Sequence, residues 1–246
     1  MKGLLFFVIG IGLIFSINGC SPEYGMANGS GAPIYFAKPF YKDSAVRAIY
    51  VGGKFEHSLD SAYSNSHEKN YFGEFYIYRS HSWLHCNLSY GLFGYTGSYK
   101  VAAIQQYRGD KPYYGGGIST ELDFKITEKN FEWRFLGFRG TLIYEDGSFY
   151  DFRRRAFDEN LISDVSPGRY AYNFSVSSEY IYKFRQNCLG LYTSYGWTRN
   201  FRYNDVFPTI VGCLNYSYRK ITVYSQLNWC ILAAGGSYSL GIAYRF

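Results

Sequence analysis

The C-terminal residues 236–246 alternate between large apolar side chains and small or polar ones. The apolar set is Tyr238, Leu240, Ile242, Tyr244 and Phe246, and the other set includes Ser237, Ser239, Gly241, Ala243 and Arg245. Alternation with a period of two indicates a β-strand between two unlike environments. Residues 221–232 repeat the pattern, which predicts an antiparallel hairpin. Periodicity alone does not tell which face is the interior, so the rest of the chain must decide between an apolar and a polar interior.

Composition favours an all-β fold. The 246 residues include 28 Tyr, 21 Phe and 27 Gly, and the helix formers Ala, Leu and Met are scarce beyond the first twenty residues. A mean hydropathy of −0.21 argues against a helical membrane protein. It is compatible with a membrane-spanning barrel, because half of each barrel strand faces a polar interior. The net charge of +6 comes with no RNA-binding or helix-turn-helix motif, so no nucleic-acid partner is predicted.

The five cysteines show no metal-ligand spacing. No metal, cofactor or catalytic motif is predicted from them. The hairpin register places Cys213 opposite Gln226, which offsets Cys213 from Cys230 by four residues. We therefore expect Cys86, Cys188, Cys213 and Cys230 to be unpaired.

Residues 1–19 have the form of a signal peptide, with Lys2 before an apolar core that is too short to span a bilayer comfortably. The sequence Ile17-Asn18-Gly19-Cys20 resembles the lipobox of bacterial lipoproteins at Gly19 and Cys20 and departs from it at Asn18 and Ile17. The resemblance implies acylation of Cys20; the alternative is an ordinary cleaved signal. Residues 20–44, rich in small and polar residues, are interpreted as a lipidated flexible linker, with an apolar patch at 34–41 that could dock.

Residues 45–246 contain ten strand-like runs, each of about the length that crosses a bilayer when tilted. A count of eight or twelve stays possible. The predicted strands are 45–58, 70–80, 83–95, 113–126, 131–145, 168–184, 187–199, 208–219, 221–232 and 236–246. Connections after even-numbered strands are tight, as at Arg185-Gln186 and Arg219-Lys220, and those after odd-numbered strands are mostly long.

Alternating tight and long connections, together with the C-terminal ending Tyr244-Arg245-Phe246, resemble bacterial outer-membrane β-barrels. The resemblance implies an antiparallel transmembrane β-barrel in the outer membrane, with short turns in the periplasm and long loops outside. It also implies that Phe246 is read by the barrel-insertion machinery. A lipid on Cys20 would then lie in the periplasmic leaflet, and outer-membrane lipid and lipopolysaccharide would be partners.

Hydrophobic register across the turn at 127–130 pairs Ile126 with Phe131. It then predicts two lumen ion pairs, Lys125 with Glu132 and Asp123 with Arg134. The interior would carry Glu121, Asp123, Lys125, Glu132, Arg134, Glu179, Lys183 and Arg245. About ten strands enclose a narrow lumen that such side chains largely fill. We also expect a β-bulge near Gly137 or Gly140, where the alternation fails.

The run Arg153-Arg154-Arg155 lies in the longest loop and could bind phosphates of lipopolysaccharide or an acidic partner. The alternative is a solvated helix over 152–162. The histidines of the first third offer another possibility: His57 beside Asp60 could form a rim protease site, as in the omptin family, whose paired-aspartate motifs are not matched. We expect His85 to point into the lumen.

We therefore expect a lipid-anchored outer-membrane barrel without enzymatic activity, acting as a structural, interaction or accessory envelope protein through its extracellular loops, where a protein partner could bind. The alternatives are a small-solute channel, a rim-site enzyme of the omptin or lipid-A-modifying kind, and a soluble lipocalin-like carrier. A carrier would bury Tyr238, Leu240 and Ile242 in its interior, so the burial of these three side chains distinguishes it from a membrane barrel.

Overall fold

The computed structural model describes residues 26, 35–38, 46–59, 68–102, 104–161, 165–201, 206–230 and 235–246. Ten antiparallel strands close into one barrel, in which each strand pairs with its neighbours in sequence and β1 pairs with β10. The strands are β1 (Val46–Leu59), β2 (Lys69–Ser82), β3 (Cys86–Val101), β4 (Gly109–Thr127), β5 (Phe131–Gly147), β6 (Tyr170–Phe184), β7 (Asn187–Asn200), β8 (Val206–Tyr218), β9 (Ile221–Cys230) and β10 (Gly235–Arg245). A helix, α1 (Ser148–Asp158), and a short 3₁₀ turn (Gln105–Tyr107) lie between strands.

All ten predicted strands are present, and the tight turns set the predicted register in two hairpins. Tyr218 pairs with Ile221, which places Cys213 opposite Gln226. Phe184 pairs with Asn187 in the β6–β7 hairpin.

The β4–β5 register was wrong by two residues. Ile126 pairs with Trp133 instead of Phe131. A shift of two keeps the side chains next to the turn on their predicted faces, because side chains alternate with a period of two. Beyond the turn the offset grows to three, since Phe124 pairs with Leu136. The expected irregularity in β5 lies between Arg134 and Gly137, and the register also shifts between Phe124 and Lys125.

The two faces of the barrel wall have opposite chemistry. The outward face carries large apolar side chains, among them Phe55, Phe75, Ile77, Leu92, Ile118, Leu142, Leu191, Leu214, Leu227, Trp229, Leu240 and Ile242. Leu240 is 55% exposed, whereas Asp123 and Arg134 are at most 2% exposed. An apolar exterior around a polar interior is the arrangement of a transmembrane β-barrel. Tyr238 and Ile242 also lie on the exterior, which is the reverse of what a soluble carrier requires.

The long and short connections lie at opposite ends of the barrel. The connections at 83–85, 128–130, 185–186 and 219–220 form the short-turn end, where β1 begins and β10 ends. Helix α1 and the 3₁₀ turn lie at the other end, the long-loop end. In the part of the chain that the structure describes, no helix has the length and apolarity needed to cross a membrane.

Aromatic rings on the inner wall lie over glycines of the adjacent strand. Tyr76 pairs across the sheet with Gly52, and its hydroxyl reaches the carbonyl oxygen of Ile242 at 3.1 Å. Tyr224 pairs likewise with Gly241, and the hydroxyls of Tyr76 and Tyr224 are 3.1 Å apart. A ring that covers a glycine replaces the missing side-chain contacts and fixes strand register.

We expect Gly52→Ala to lower the free energy of unfolding by about 1–3 kcal/mol, because overpacking a filled interior forces neighbours to move. The added Cβ would collide with the carbonyl oxygen of Ile242 and with the ring of Tyr76. Urea unfolding of the refolded barrel in lipid vesicles measures the change. Gly73→Ala is the matched control, since its Cβ meets nothing within 4 Å. Equal effects of the two substitutions would contradict the prediction.

Candidate functional site

Four residues of the N-terminal segment lie inside the barrel. Tyr35, Phe36, Ala37 and Lys38 are at most 9% exposed, and we call these four residues the lumen plug. The Tyr78 hydroxyl donates to the carbonyl oxygen of Ala37 at 2.6 Å. These four residues fall in the segment predicted as a flexible linker, but here they are packed in the lumen instead of being solvated.

Rings of the barrel wall enclose the aromatic side chains of the lumen plug. The Phe36 ring lies 4.5 Å from that of Tyr78. The Tyr35 ring lies 5.7 Å from that of Tyr192 and 5.3 Å from that of Tyr224. Contacts to β2, β7 and β9 show that the lumen plug touches walls on different sides of the barrel.

Lys38 completes a buried ion-pair cluster. Its Nζ lies 3.0 Å from Oε2 of Glu121 and 2.5 Å from Oδ2 of Asp123. The Arg139 guanidinium contacts Glu121 at 2.5 Å and stacks over the Phe36 ring at 4.8 Å. Two cations thus balance two carboxylates, as buried charges require. One of the two cations comes from the lumen plug.

Tyr35 joins a second network. Its hydroxyl donates to Oε1 of Glu179, and the other oxygen of Glu179 accepts from Arg134. Arg134 also contacts Glu132 at 2.7 Å. Lys125 lies 3.4 Å from the same Glu132 carboxylate. The lumen plug is therefore bonded to both charge networks of the interior.

The structure places the four predicted lumen residues in partly different pairs. Lys125 meets Glu132, but Asp123 meets Lys38 and Arg134 meets Glu132 and Glu179. The predicted Asp123–Arg134 pair fails because the register shift places Gly137 opposite Asp123. Of the other residues predicted for the interior, Glu121 and Glu179 are buried there. Lys183 and Arg245 instead lie at the rim of the short-turn end.

Further lumen charges were missed from the sequence. Lys54 contacts Glu56 at 2.9 Å and Glu74 at 4.0 Å, and all three side chains are buried. The alternation of β1 places Lys54 and Glu56 on the same face as the inward-facing Tyr50, so the signal was present in the pattern. Lys38, by contrast, lies in a segment without periodicity, and its partners could not be inferred from spacing.

Helix α1 covers the long-loop mouth of the lumen. It begins after Gly147, whose φ of 110° is a conformation that favours glycine. Phe149, Phe152, Arg153 and Ala156 are buried on one face of the helix. The Phe149 ring stacks on Tyr99 at 4.3 Å, which attaches the helix to β3, two strands away from β5 in the barrel.

The three arginines of this helix do not share one surface. Arg153 points inward, pairs with Glu145 at 2.7 Å and donates to the carbonyl oxygens of Ser166 and Gly168. Burial lowers the pKa of the Arg153 guanidinium, and Glu145 opposes that change. Arg153 is therefore not available to a loop anion as the sequence suggested. Arg154 and Arg155 are exposed, and Arg154 approaches Asp158 at 3.7 Å.

An external groove runs below helix α1. Its lining combines apolar wall residues such as Ile118 and Leu142 with Arg154 and Arg169, and it encloses about 1060 Å³. Arg169 pairs with Asp146 at 3.2 Å and lies over the Tyr150 ring at 4.2 Å. The groove thus joins an apolar wall to two guanidinium groups at the long-loop end.

The histidines and cysteines give no reactive site among the described residues. The His57 ring packs edge-on against Tyr71 at 4.5 Å, and Asp60 lies outside the described residues. His85 is exposed in the turn before β3, so the expectation that it points into the lumen was wrong. Cys86, Cys188 and Cys213 are free thiols. The residues that the structure describes contain no cluster of three or more metal-ligating side chains.

The short-turn mouth is a separate cavity of about 380 Å³. The lumen plug contributes Tyr35 and Lys38 to its lining. Basic residues of the β6–β7 and β8–β9 turns and of the ends of β6 and β10 surround its rim, namely Lys183, Arg185, Arg219, Lys220 and Arg245. Cys20 and the signal segment lie outside the described residues, so acylation of Cys20 stays a prediction.

No family model and no curated protein matches this chain. Among solved structures, an outer membrane channel from Pseudomonas putida F1 is similar over 86% of this chain and 100% of that one, at 11% identity and a TM-score of 0.48. The β domain of the Bordetella autotransporter BrkA is similar over 80% and 98%, at 12% identity and 0.45. Ail of Yersinia pestis is similar over 81% and 97%, at 10% identity and 0.32.

Proposed function

We propose that the protein is a bacterial outer-membrane β-barrel with a closed lumen, and that it acts as a structural or interaction protein of the envelope through its long-loop end. The observation that supports this most is the lumen plug. Lys38 and Tyr35 connect to the carboxylates of Glu121, Asp123 and Glu179 in the interior. A lumen filled by its own chain and by bonded charges has little room for a solute.

The same proposal gives the barrel an orientation. Short turns face the periplasm and long loops the exterior in membrane barrels of bacteria. The start of β1 is then periplasmic, and an acylated Cys20 would anchor in the periplasmic leaflet. Phe246, whose backbone nitrogen donates to the carbonyl oxygen of Ile49 at 2.9 Å, would present the C-terminal aromatic ring to the insertion machinery from that side.

The experiment that tests the closed lumen is recording from planar bilayers with the purified full chain. We expect insertion without conductance steps, together with heat-modifiable gel migration that reports the folded barrel. Steady conductance of the wild-type protein would reject the closed-lumen proposal. Extraction from membranes without detergent would reject the membrane location.

Contact with lipopolysaccharide at the long-loop end is part of the proposal. The external groove places Arg154 and Arg169 above apolar wall residues, an arrangement that suits a phosphorylated lipid. Arg155 is exposed on the same helix. The amount of lipopolysaccharide that co-purifies with Arg154→Gln, compared with wild type, measures this contact. The exposed loops are also where a protein partner would bind.

A small-solute channel is the second candidate, and one observation favours it. The buried hydroxyls of Ser175, Ser194, Thr209 and Ser239 have no hydrogen-bond partner among the described residues. These hydroxyls lie on the inner face of β6 to β10, opposite the charge-rich strands. Buried polar groups of this kind are commonly satisfied by water. A hydrated path along this side would give conductance in the same bilayer experiment.

A further inference from the structure

The short-turn mouth concentrates positive charge. Two tight turns, Arg185-Gln186 and Arg219-Lys220, supply three cations, and the ends of β6 and β10 add Lys183 and Arg245. We call these five cationic residues the basic mouth. They surround the cavity of about 380 Å³ whose floor includes Lys38 of the lumen plug.

Hydrogen bonds between the turns hold the basic mouth together. The Arg219 side chain donates from Nε to Oε1 of Gln186 at 3.0 Å, and its backbone nitrogen donates to the Gln186 carbonyl at 3.3 Å. Arg245 donates from its backbone to the carbonyl of Lys220 at 2.8 Å and from Nη2 to that of Arg219 at 3.2 Å. The side chains of Arg219 and Arg245 are therefore held in place between the two turns and the C-terminal strand.

Among the residues that the structure describes, the cavity lining includes no carboxylate to balance this charge. Within the part of the chain that the structure describes, Arg185, Arg219, Lys220 and Arg245 form no ion pair, and Lys38 is directed to Glu121 and Asp123. Fixed like charges repel, so a protein that holds them together attracts a counter-anion. The neutral groups of the lining are hydrogen-bonding ones, including Asn215, Ser217 and Thr222.

We propose that the basic mouth binds a phosphate-bearing anion, either the headgroup of an anionic phospholipid or a soluble phosphate compound. A phosphate offers several strong acceptor oxygens, and guanidinium groups match their geometry bidentately. Arg185, Arg219 and Arg245 would contact the oxygens, and Lys183 and Lys220 would add charge from the rim. Lys220 already lies over the Tyr244 ring at 5.9 Å, close to the apolar exterior.

The test is calorimetric titration of pyrophosphate into the full chain held in phosphatidylcholine nanodiscs at low salt. We expect saturable binding that the double substitution Arg185→Gln with Arg219→Gln weakens by about tenfold, because two charge-assisted contacts are lost. A second double substitution, Lys220→Gln with Arg245→Gln, is also expected to weaken binding. Agreement between the two variants shows that the loss does not come from a folding defect at one turn. Lys100→Gln with Arg108→Gln is the matched control, since it removes the same charge from exposed residues of the long-loop end that do not line the external groove.

Nanodiscs that contain phosphatidylglycerol separate the two sources of phosphate. If the lipid headgroup is the natural occupant, phosphatidylglycerol competes with pyrophosphate, and less of it co-purifies with the basic-mouth variants. If the occupant is soluble, pyrophosphate affinity is the same in both nanodiscs. Non-saturable binding by the wild-type protein, or equal weakening by the control pair, would overturn the proposal.

Discussion

Replacing Arg139 by alanine is expected to lower the free energy of unfolding by about 3–5 kcal/mol, the cost of removing one partner from a buried ion pair. Arg139 is 1% exposed and contacts the Glu121 carboxylate. Its guanidinium also lies over the rings of Phe36 and Tyr192, at 4.8 and 5.7 Å. Without it, Glu121 and Asp123 would share Lys38 alone. Urea unfolding in lipid vesicles, followed by tryptophan fluorescence, measures the loss.

The matched control is Arg154→Ala. Its side chain is 63% exposed, and its pair with Asp158 is loose at 3.7 Å. We expect a change within about 0.5 kcal/mol for this exposed pair. The double variant Glu121→Gln with Arg139→Gln removes both charges together and is expected to recover part of the stability. A loss below about 1 kcal/mol for Arg139→Ala would contradict the prediction that the buried pair of Arg139 with Glu121 stabilises the barrel.

Removing the side chains of the lumen plug is expected to turn a barrel without ion conductance into a conducting one. The triple substitution Tyr35→Ala, Phe36→Ala and Lys38→Ala removes the two rings and the ammonium group of the lumen plug. The wall hydroxyls of β6 to β10 would then border a widened path. We expect single-channel steps in planar bilayers, and an integrated conductance at least about tenfold above wild type, because side chains alone close a barrel of this size.

Two controls make the recording interpretable. Heat-modifiable migration must show that the triple variant still forms the barrel. The Arg154→Ala variant, which is changed outside the lumen, must show no more conductance than the wild-type protein. If the folded triple variant does not conduct, then the wall ion pairs rather than the lumen plug close the lumen.

The strands were predictable because their signal is local. Period-two alternation and aromatic content identify a strand from a few residues, and tight turns such as Arg219-Lys220 fix the register of the hairpin on either side. The β6–β7 and β8–β9 hairpins follow these rules. The β4–β5 hairpin does not, because its turn is longer and a register shift between Phe124 and Lys125 interrupts the ladder. The inward and outward faces of this hairpin were predicted near the turn, but the ion-pair partners of Asp123 and Arg134 were not.

The lumen plug and helix α1 show what sequence patterns omit. The segment that contains Phe36 has no periodicity, and its neighbours in space are distant strands. An apolar docking patch at 34–41 could be predicted, but the barrel interior as its docking place could not. The helix was expected over 152–162 and begins instead at Ser148. Its start follows Gly147, and Arg153 is buried because the Glu145 carboxylate lies within the mouth below it.

The seam between β1 and β10 joins the first strand to the last. Lys38 precedes Val46, the first residue of β1, by only a short stretch of chain. The lumen plug must therefore enter before β1 pairs with β10. Otherwise it must pass into a closed barrel whose interior is already filled with side chains. Docking of the lumen plug before β10 pairs with β1 avoids that passage, so we expect this order of assembly.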